Sequence, residues 1–293
     1  MLIGASGPAF DSDAHIFELK LDGIRCLAYL WESGIELRNK RNKRLNTIYP
    51  ELLEINQQAK TKCILDGELV VLKDGVPDFF EVQRRSLMTN AMKIKMLADK
   101  LPVSFVAYDI LYANGKQITD LSLMQRKSLL SEIVTESERL AVTRIIEKNG
   151  EAFYKATADM GLEGIVAKRK DSKYYFGKRS KDWIKMKAML DEDFIVCGYF
   201  SKGGGNTVSV IIGVYDEVAL VYQGHVVMGI SKFDYQKMMS IPKTTKSRHY
   251  AQFPDFEGAV WIMPELVCTV QYMERTPGGG LRQPVFKGLR DDG

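Results

Sequence analysis

The segment Leu65-Asp66-Gly67-Glu68-Leu69-Val70-Val71 carries apolar side chains on both of its alternating faces, which describes a strand buried on both sides within a sheet. A carboxylate in such a strand is expensive unless it is paired or bound to a metal. The alternative is an edge strand with Glu68 facing water, and the apolar neighbours argue against it. The chain therefore needs a covered sheet and a cation for the acid inside it.

Other short segments rich in β-branched and aromatic residues read as strands: 16–20, 26–30, 103–111, 164–168 and 183–187, together with 64–72 around the acidic segment. A helix fits 121–134, where Leu123, Leu130, Ile133 and Val134 recur at helical spacing, and another fits 150–160. Pro50 suits the first turn of a third. Further on, 208–215, 218–222 and 226–230, separated by Asp216-Glu217 and Gln223-Gly224, predict a small antiparallel barrel with little helix. Gly203-Gly204-Gly205 is expected to be a loop.

Charge locates the division between these parts. Residues 1–190 hold 31 Lys and Arg against 25 Asp and Glu, whereas 191–293 hold 10 against 12, so a whole-chain net of +4 is the balance of +6 and −2. The acidic Asp191-Glu192-Asp193 marks the change, and the expected domains are 1–189 and 190–293. Apolar residues at 45% and charged residues at 27% exclude a disordered or fibrous chain. No apolar run approaches the ~20 residues of a membrane span, and the N-terminus lacks the features of a secretory signal. A soluble, cytoplasmic protein without membrane partners is expected. Cys26, Cys63, Cys197 and Cys268 form no C-x-x-C pair, and His15, His225 and His249 are scattered. Buried reduced thiols are expected, and any metal chemistry must use carboxylates and a hard cation.

The sharpest local pattern is Glu18-Leu19-Lys20-Leu21-Asp22-Gly23-Ile24-Arg25. On a strand, Glu18 and Lys20 share a face, and the Asp22-Gly23 turn returns Arg25 towards the lysine. A lysine beside other cations can have its pKa lowered, supplying the neutral amine a nucleophile needs. An exposed charged hairpin is the bland reading of any Lys-x-Asp, but K-x-D-G-x-R matches by chance only about once per 10⁵ positions.

That spacing resembles the active-site lysine motif of the covalent nucleotidyltransferases, which comprise DNA ligases, RNA ligases and mRNA-capping guanylyltransferases. Ordered segments downstream extend the resemblance. Leu37-Arg38-Asn39, followed by Tyr49-Pro50-Glu51-Leu52, resembles the second motif, and 38–44 hold five cations in seven positions, suited to phosphate. Leu65 to Val71 resembles the third, Val106-Ala107-Tyr108-Asp109 the segment whose aromatic residue stacks on the base, and Glu163-Gly164-Ile165-Val166-Ala167-Lys168 with Trp183-Ile184-Lys185-Met186-Lys187 the last two motifs. Alternation puts Trp183, Lys185 and Lys187 on one face and leaves Ile184 and Met186 for the core.

The resemblance implies Lys20 as the nucleophile and Glu18 as the reader of the adenine amino group. It implies Arg25, Arg38, Lys168, Arg179, Lys185 and Lys187 as nucleotide or phosphate contacts, Tyr108 as the stacking ring, and Glu68 and Glu163 as carboxylates for Mg²⁺ or Mn²⁺. The implied fold is α+β, an ATP-grasp-like nucleotidyltransferase domain of antiparallel sheets with helices followed by an OB-fold barrel. The C-terminal Thr276-Pro277-Gly278-Gly279-Gly280-Leu281-Arg282 to Arg290 is most similar to the ligase domain of bacterial DNA ligase D, an end-joining ligase.

The expected activity is therefore ATP-dependent sealing of 5′-phosphate/3′-hydroxyl nicks in double-stranded DNA through a lysine–AMP intermediate. DNA repair by non-homologous end joining, the Ku end-binding protein as partner, a monomeric state and a place at the bacterial nucleoid follow from the same resemblance. The final motif of the family commonly ends Arg-x-Asp-Lys, whereas Arg290-Asp291-Asp292 is followed by Gly293. That departure leaves a nucleic-acid-binding module with impaired self-adenylylation as an alternative, beside an RNA ligase and a GTP-using capping enzyme. The chain is also expected to lack the DNA-encircling domain of some ligases and the polymerase and phosphoesterase domains often fused to DNA ligase D.

Overall fold

Cys63–Lys73 is an eleven-residue strand at the centre of a seven-stranded sheet in the computed structural model, which describes the chain except for residues 74, 202–206, 218 and 291–293. The glycine run 203–205 and the end of the final motif, 291–293, lie outside the described residues. The chain divides into two compact units, Met1–Ala188 and Met189–Gly293.

The strands of the first unit begin with β1 (Leu2–Ser6), β2 (Ser12–Leu19), β3 (Ile24–Trp31), β4 (Gly34–Asn39), β5 (Cys63–Lys73) and β6 (Val76–Pro77). They continue with β7 (Val103–Ala113), β8 (Lys116–Gln117), β9 (Leu140–Val142), β10 (Ile145–Lys148), β11 (Gly164–Arg169) and β12 (Arg179–Lys187). Its helices are α1 (Phe79–Ser86), α2 (Ala91–Lys100), α3 (Leu123–Ile133) and α4 (Gly150–Asp159). One sheet runs β4-β3-β5-β7-β8, with β6 on β5 and β9 on β7; the other runs β1-β12-β11-β2-β10. Pairing is antiparallel apart from β1 with β12 and β7 with β9. Each strand and long helix expected in this part is present. The third helix, expected at Pro50, is instead two short 3₁₀ turns, Pro50–Leu52 and Ile55–Gln58, with Tyr49, Leu52 and Ile55 packed into the core.

Helix α3 starts at Ser122, whose hydroxyl accepts from the Gln125 N–H while the Gln125 side chain accepts from the Ser122 N–H, a capping box. Its buried face is Leu123, Arg126, Lys127, Leu130 and Ile133. The spacing is that of a core-facing stripe, yet two of its five members are cations. Both find carboxylates, as described below.

Two glycines let the backbones close around the motifs. β2 and β3 belong to different sheets, so Lys20 to Gly23 crosses between them, and a Cβ at Gly23 would lie 2.3 Å from the Leu69 carbonyl oxygen. Gly164, next to Glu163, has φ +121°, and a Cβ there would lie 2.1 Å from the Met186 carbonyl oxygen. Side-chain-bearing residues avoid that conformation, and no space is left for one.

The second unit holds β13 (Leu190–Ser201), β14 (Val208–Asp216), β15 (Ala219–Val226), β16 (Val260–Trp261), β17 (Val267–Tyr272) and β18 (Val285–Leu289). Its sheet runs β15-β14-β13-β17-β18, with β16 on β13. A bridge between Met228 and Val285, and a hydrogen bond from the Phe286 N–H to the Met228 carbonyl, bring the two ends of this path together as a barrel requires. The expected turn at Gln223-Gly224 is absent. β15 runs through it, and Gly224, at φ +141°, sits where the register with β14 shifts, which is a bulge and not a reversal. Residues 226–230 accordingly leave the sheet path after Val226 and do not form the separate strand expected there.

Helix is also less scarce in this unit than expected. α5 (Lys232–Ser240) has a capping box from Ser231 and Asp234, and α6 (Lys246–His249) follows it. α5 buries Asp234 and Met238 while Phe233 and Met239 are exposed, so no apolar stripe announced it. All four cysteines are buried with free thiols. Among the described residues, no helix is long and apolar enough to cross a membrane.

Gly164→Ala is expected to destabilise the chain by about 2 kcal/mol or more, since it combines a disfavoured φ with a backbone clash. A urea unfolding curve followed by circular dichroism measures this, and an unchanged midpoint would contradict the packing described at β11.

Candidate active site

Strands from both sheets of the first unit meet at one cleft. β2 brings Glu18 and ends immediately before Lys20, β5 brings Glu68, β7 brings Tyr108, β11 brings Val166 and Lys168, and β12 brings Trp183. The cavity between them is about 150 Å³, with apolar wall from Ile3, Leu19 and Val166 and aromatic wall from Tyr108 and Trp183.

The Lys20 ammonium donates to Glu163 Oε2 at 2.5 Å, and Lys187 approaches the other carboxylate oxygen at 3.2 Å. The Lys20 N–H also donates to the Gly164 carbonyl at 2.9 Å, which fixes the backbone just past β2. One carboxylate thus gathers Lys20, just past β2, and Lys187 of β12. Burial lowers the pKa of Lys187, Glu163 pulls it up, and the neighbouring Lys20 lowers it again; the net direction is down. Trp183 and Lys187 both face this side of β12, and alternation puts Lys185 between them, while Ile184 and Met186 pack with Phe17 and Ile165.

A second carboxylate organises the next wall. Arg25 grips Asp66 with two hydrogen bonds, Nε to Oδ1 at 3.0 Å and Nη2 to Oδ2 at 2.6 Å. Tyr108 donates to Oδ1 at 3.0 Å and Tyr174 to Oδ2 at 2.7 Å. Asp66 is fully buried, and these four donors fill its acceptor sites. Burial, reinforced by the charge of Asp66, pushes the Tyr108 phenol well above its ordinary pKa, so the group stays a donor.

Glu18 is the third. Lys168 donates to its Oε2 at 2.7 Å, and the Thr143 hydroxyl donates to the same oxygen at 3.0 Å. Lys127 of α3 lies against Oε1. Burial, the largest single effect on Glu18, pushes its carboxyl up, but the charges of Lys127 and Lys168 outweigh it and hold the group below its usual value. The Lys168 ammonium also stands 4.6 Å from the Tyr108 ring centroid and 4.3 Å from that of Trp183. Among the described residues, Glu68 has no such partner. Burial pushes its carboxyl up to about 8; Lys20 and Arg25 draw it down, while Asp66 and Glu163 add repulsion.

The cleft therefore brings together Glu18, Lys20, Arg25, Glu68, Tyr108 and Lys168 along its lining, with Glu163 and Lys187 joined to it through Lys20. It does not gather Arg38 or Arg179. Arg38 is bound to Glu36 and Asn42 and lines a neighbouring cavity of about 470 Å³ with Lys40 and Arg41. Arg25 borders both cavities. Arg179, at the exposed start of β12, donates to the Ile3 carbonyl at 3.0 Å. Sequence reasoning missed Asp66, Tyr174 and Lys127. The carboxylate inside the Leu65 to Val71 strand was a usable signal for Asp66; for the other two nothing local was.

The sequence model described as the ATP dependent DNA ligase domain matches residues 8–187. The chain belongs to the ATP-dependent DNA ligase family. The C-terminal region of the same family matches 203–293, and the two units, an α+β nucleotidyltransferase and an OB-fold, are those of these ligases. The chain is 30% identical over 286 residues to the multifunctional non-homologous end joining protein LigD of Mycobacterium bovis, covering 94% of this chain and 36% of that relative. It is 30% identical to the protein of the same name from Pseudomonas aeruginosa, covering 94% of this chain and 33% of the relative. It thus spans about a third of the length of these curated relatives. Among solved structures, mycobacterial DNA ligase D complexed with ATP and MES is similar at 28% identity and a TM-score of 0.59, over 100% of this chain and 95% of that one. A Lig E DNA ligase shares the fold at a TM-score of 0.64 and 19% identity, over 99% of this chain and 100% of that one.

Two outcomes are expected from the carboxylates of this ligase-family cleft. Asp66→Ala removes the acceptor of one guanidinium and two phenols, and should cost about 3 kcal/mol or more in urea unfolding. Glu68, raised from 4.5 to about 8, keeps in the folded chain a proton that the unfolded chain has released. The folded state then binds more protons, so stability contributed at Glu68 falls as pH rises across that window. Thermal midpoints of the metal-free chain between pH 5 and 8 should decline less in Glu68→Gln than in the parent; parallel declines would refute the assignment to Glu68.

Proposed function

We propose that the chain is the nucleotidyl-transferring and sealing part of an ATP-dependent DNA ligase, acting through an adenylylated Lys20. The observation that carries this reading is the Lys20 ammonium, held by Glu163 beside Lys187 at the mouth of an aromatic-walled cleft. In the first step the neutral Lys20 amine attacks the α-phosphorus of ATP; the N–P bond forms, the bond to the bridging oxygen breaks, and pyrophosphate leaves. In the second, an oxygen of the 5′-phosphate at a nick attacks the AMP phosphorus, and the lysine nitrogen departs and regains its proton. In the third, the 3′-hydroxyl attacks the 5′-phosphate, loses its proton, and AMP leaves as the phosphodiester forms. Such steps need alignment and positive charge more than acid–base groups, and the cleft is built of lysines, arginines and carboxylates.

Within this reading Tyr108 stacks on the adenine and Glu18 accepts from its amino group. Lys185, Lys187 and Lys168 contact phosphate, with Arg179 at the margin. Arg25 reaches from the nucleotide cleft to the cavity of Arg38, Lys40 and Arg41, which suits the phosphates of a nicked strand. Glu68 and Glu163 would hold Mg²⁺ or Mn²⁺: both are oxygen donors, and the raised Glu68 carboxyl is one that a cation would favour in its charged form. Among the described residues no group of three or more metal-ligating side chains exists, so phosphate oxygens would complete the coordination. The ion's chemistry would be to neutralise charge on the transferred phosphate.

Residues 1–189 form the adenylation domain in this proposal, and 190–293 an OB-fold that adds DNA contacts, with Lys243, Lys246 and Arg248 as cations of that unit. The names of the relatives support a place in non-homologous end joining; Ku as partner, a monomeric state and a place at the bacterial nucleoid are what the family resemblance implies.

Lys20→Ala should abolish the labelled protein–AMP adduct while nicked-DNA binding stays largely intact. Incubation with labelled ATP, followed by denaturing electrophoresis and a gel-shift assay, reads both. An undiminished adduct in the variant would sink the assignment.

A further inference from the structure

Lys127 belongs to none of the motif segments, yet it is buried among them. It projects from the buried face of α3 with about 6% of its side chain exposed. Its neighbour Arg126 is committed to Asp109 of β7, with Nε to Oδ1 at 2.8 Å and Nη2 to Oδ2 at 2.9 Å, and to the carbonyls of Leu121 and Ser172. That commitment sets the rotation of α3 and so aims Lys127 at Glu18. An ammonium is costly to bury, so its position needs a reason beyond packing.

The hydrogen bonds around Glu18 supply one. The directed bond of Lys127 goes to the Thr143 hydroxyl at 3.0 Å, and that hydroxyl donates on to Glu18 Oε2 at 3.0 Å, beside Lys168. Oε1 lies against the Lys127 ammonium, so both oxygens of Glu18 face a cation. Held between two ammonium groups and a hydroxyl, Glu18 is a carboxylate that can only accept. Glu18 borders the cleft beside the rings of Tyr108 and Trp183 and the apolar Leu19 and Val166. A flat ring with an N–H donor on its edge fits these surroundings, and a 6-aminopurine has one where a 6-oxopurine has an acceptor.

We propose that Lys127 is a positioning and specificity residue, which with Thr143 holds Glu18 as an acceptor-only carboxylate so that the cleft selects purines bearing an amino group at the ring edge. The proposal rests on nucleotide transfer at Lys20. Lys127 touches neither the nucleotide nor the reacting atoms, and acts through Glu18. Losing its charge leaves a buried carboxyl with one cation in place of two, which favours the neutral form; a neutral carboxyl can donate to an oxo group and no longer rejects it. Discrimination built on a buried hydrogen-bonding group is large because the wrong edge leaves that group unpaired.

The test measures protein–nucleotide adduct formation by the full chain with ATP and with inosine triphosphate, which carries an oxo group in place of the amino group. The parent should prefer ATP by at least tenfold in kcat/KM. Lys127→Met should raise KM for ATP at least tenfold with a much smaller change in kcat, lower KM for inosine triphosphate, and so collapse the preference. Equal losses with both nucleotides in a folded variant would show a structural role only and overturn the proposal. If Lys127→Met does not fold, Thr143→Val is decisive: it should weaken the preference and Thr143→Ser should retain it, whereas an unchanged preference in Thr143→Val overturns the proposal. A parent chain that forms no adduct with either nucleotide would overturn the Lys20 reading itself, and the proposal with it.

Discussion

A carboxylate inside a sheet must be matched by positive charge or hydrogen-bond donors, or the chain will not keep it there. Glu18 and Asp66 are two such groups in the first unit, and Glu163, just before β11 with its side chain about 4% exposed, is a third that must be matched; each draws its partners from separate strands, loops or helices. Glu163 collects Lys20 and Lys187, Asp66 collects Arg25 with two tyrosines, and Glu18 collects Lys127, Lys168 and a threonine. Stability and site geometry are therefore one problem. The lysine proposed to react is held in place because a buried acid needs it.

The scaffold has to be stiff for these pairings to persist. The five-stranded sheet carries Glu18 on β2 and Lys168 on β11, while Tyr108, Asp66 and Glu68 come from the seven-stranded one. α3 packs on β7 through its apolar stripe and spends two consecutive cations, Arg126 on the strand beneath it and Lys127 on β2 of the other sheet. Gly23 and Gly164 allow the connections to pass where a Cβ would collide with backbone. The motif glycines thus serve the approach of the chain to itself, and the motif charges serve the cleft.

Much of this was legible in the sequence. The strand with acids inside it, the K-x-D-G-x-R spacing and the alternation in Trp183 to Lys187 lead directly to β5, to the end of β2 and to the two faces of β12, because strand geometry has a period of two and each pattern is local. Reading failed where the signal was not local. Gln223-Gly224 has the composition of a turn, but the pairing of β14 with β15 on either side makes it a bulge. α5 hid because its buried positions include Asp234 and its exposed ones Phe233.

By itself the sequence determined the kinds of elements, the charge asymmetry between the two parts and the residues able to do phosphate chemistry, since these depend on neighbours a few positions apart. Only the tertiary structure decided which cation serves which acid. Lys127 and Glu18 are 109 positions apart, Tyr174 and Asp66 are 108, and Lys20 and Glu163 are 143. No periodicity links such residues. The link is the energetic demand of each buried carboxylate, which is satisfied by whichever donor the folded sheets bring within hydrogen-bonding distance.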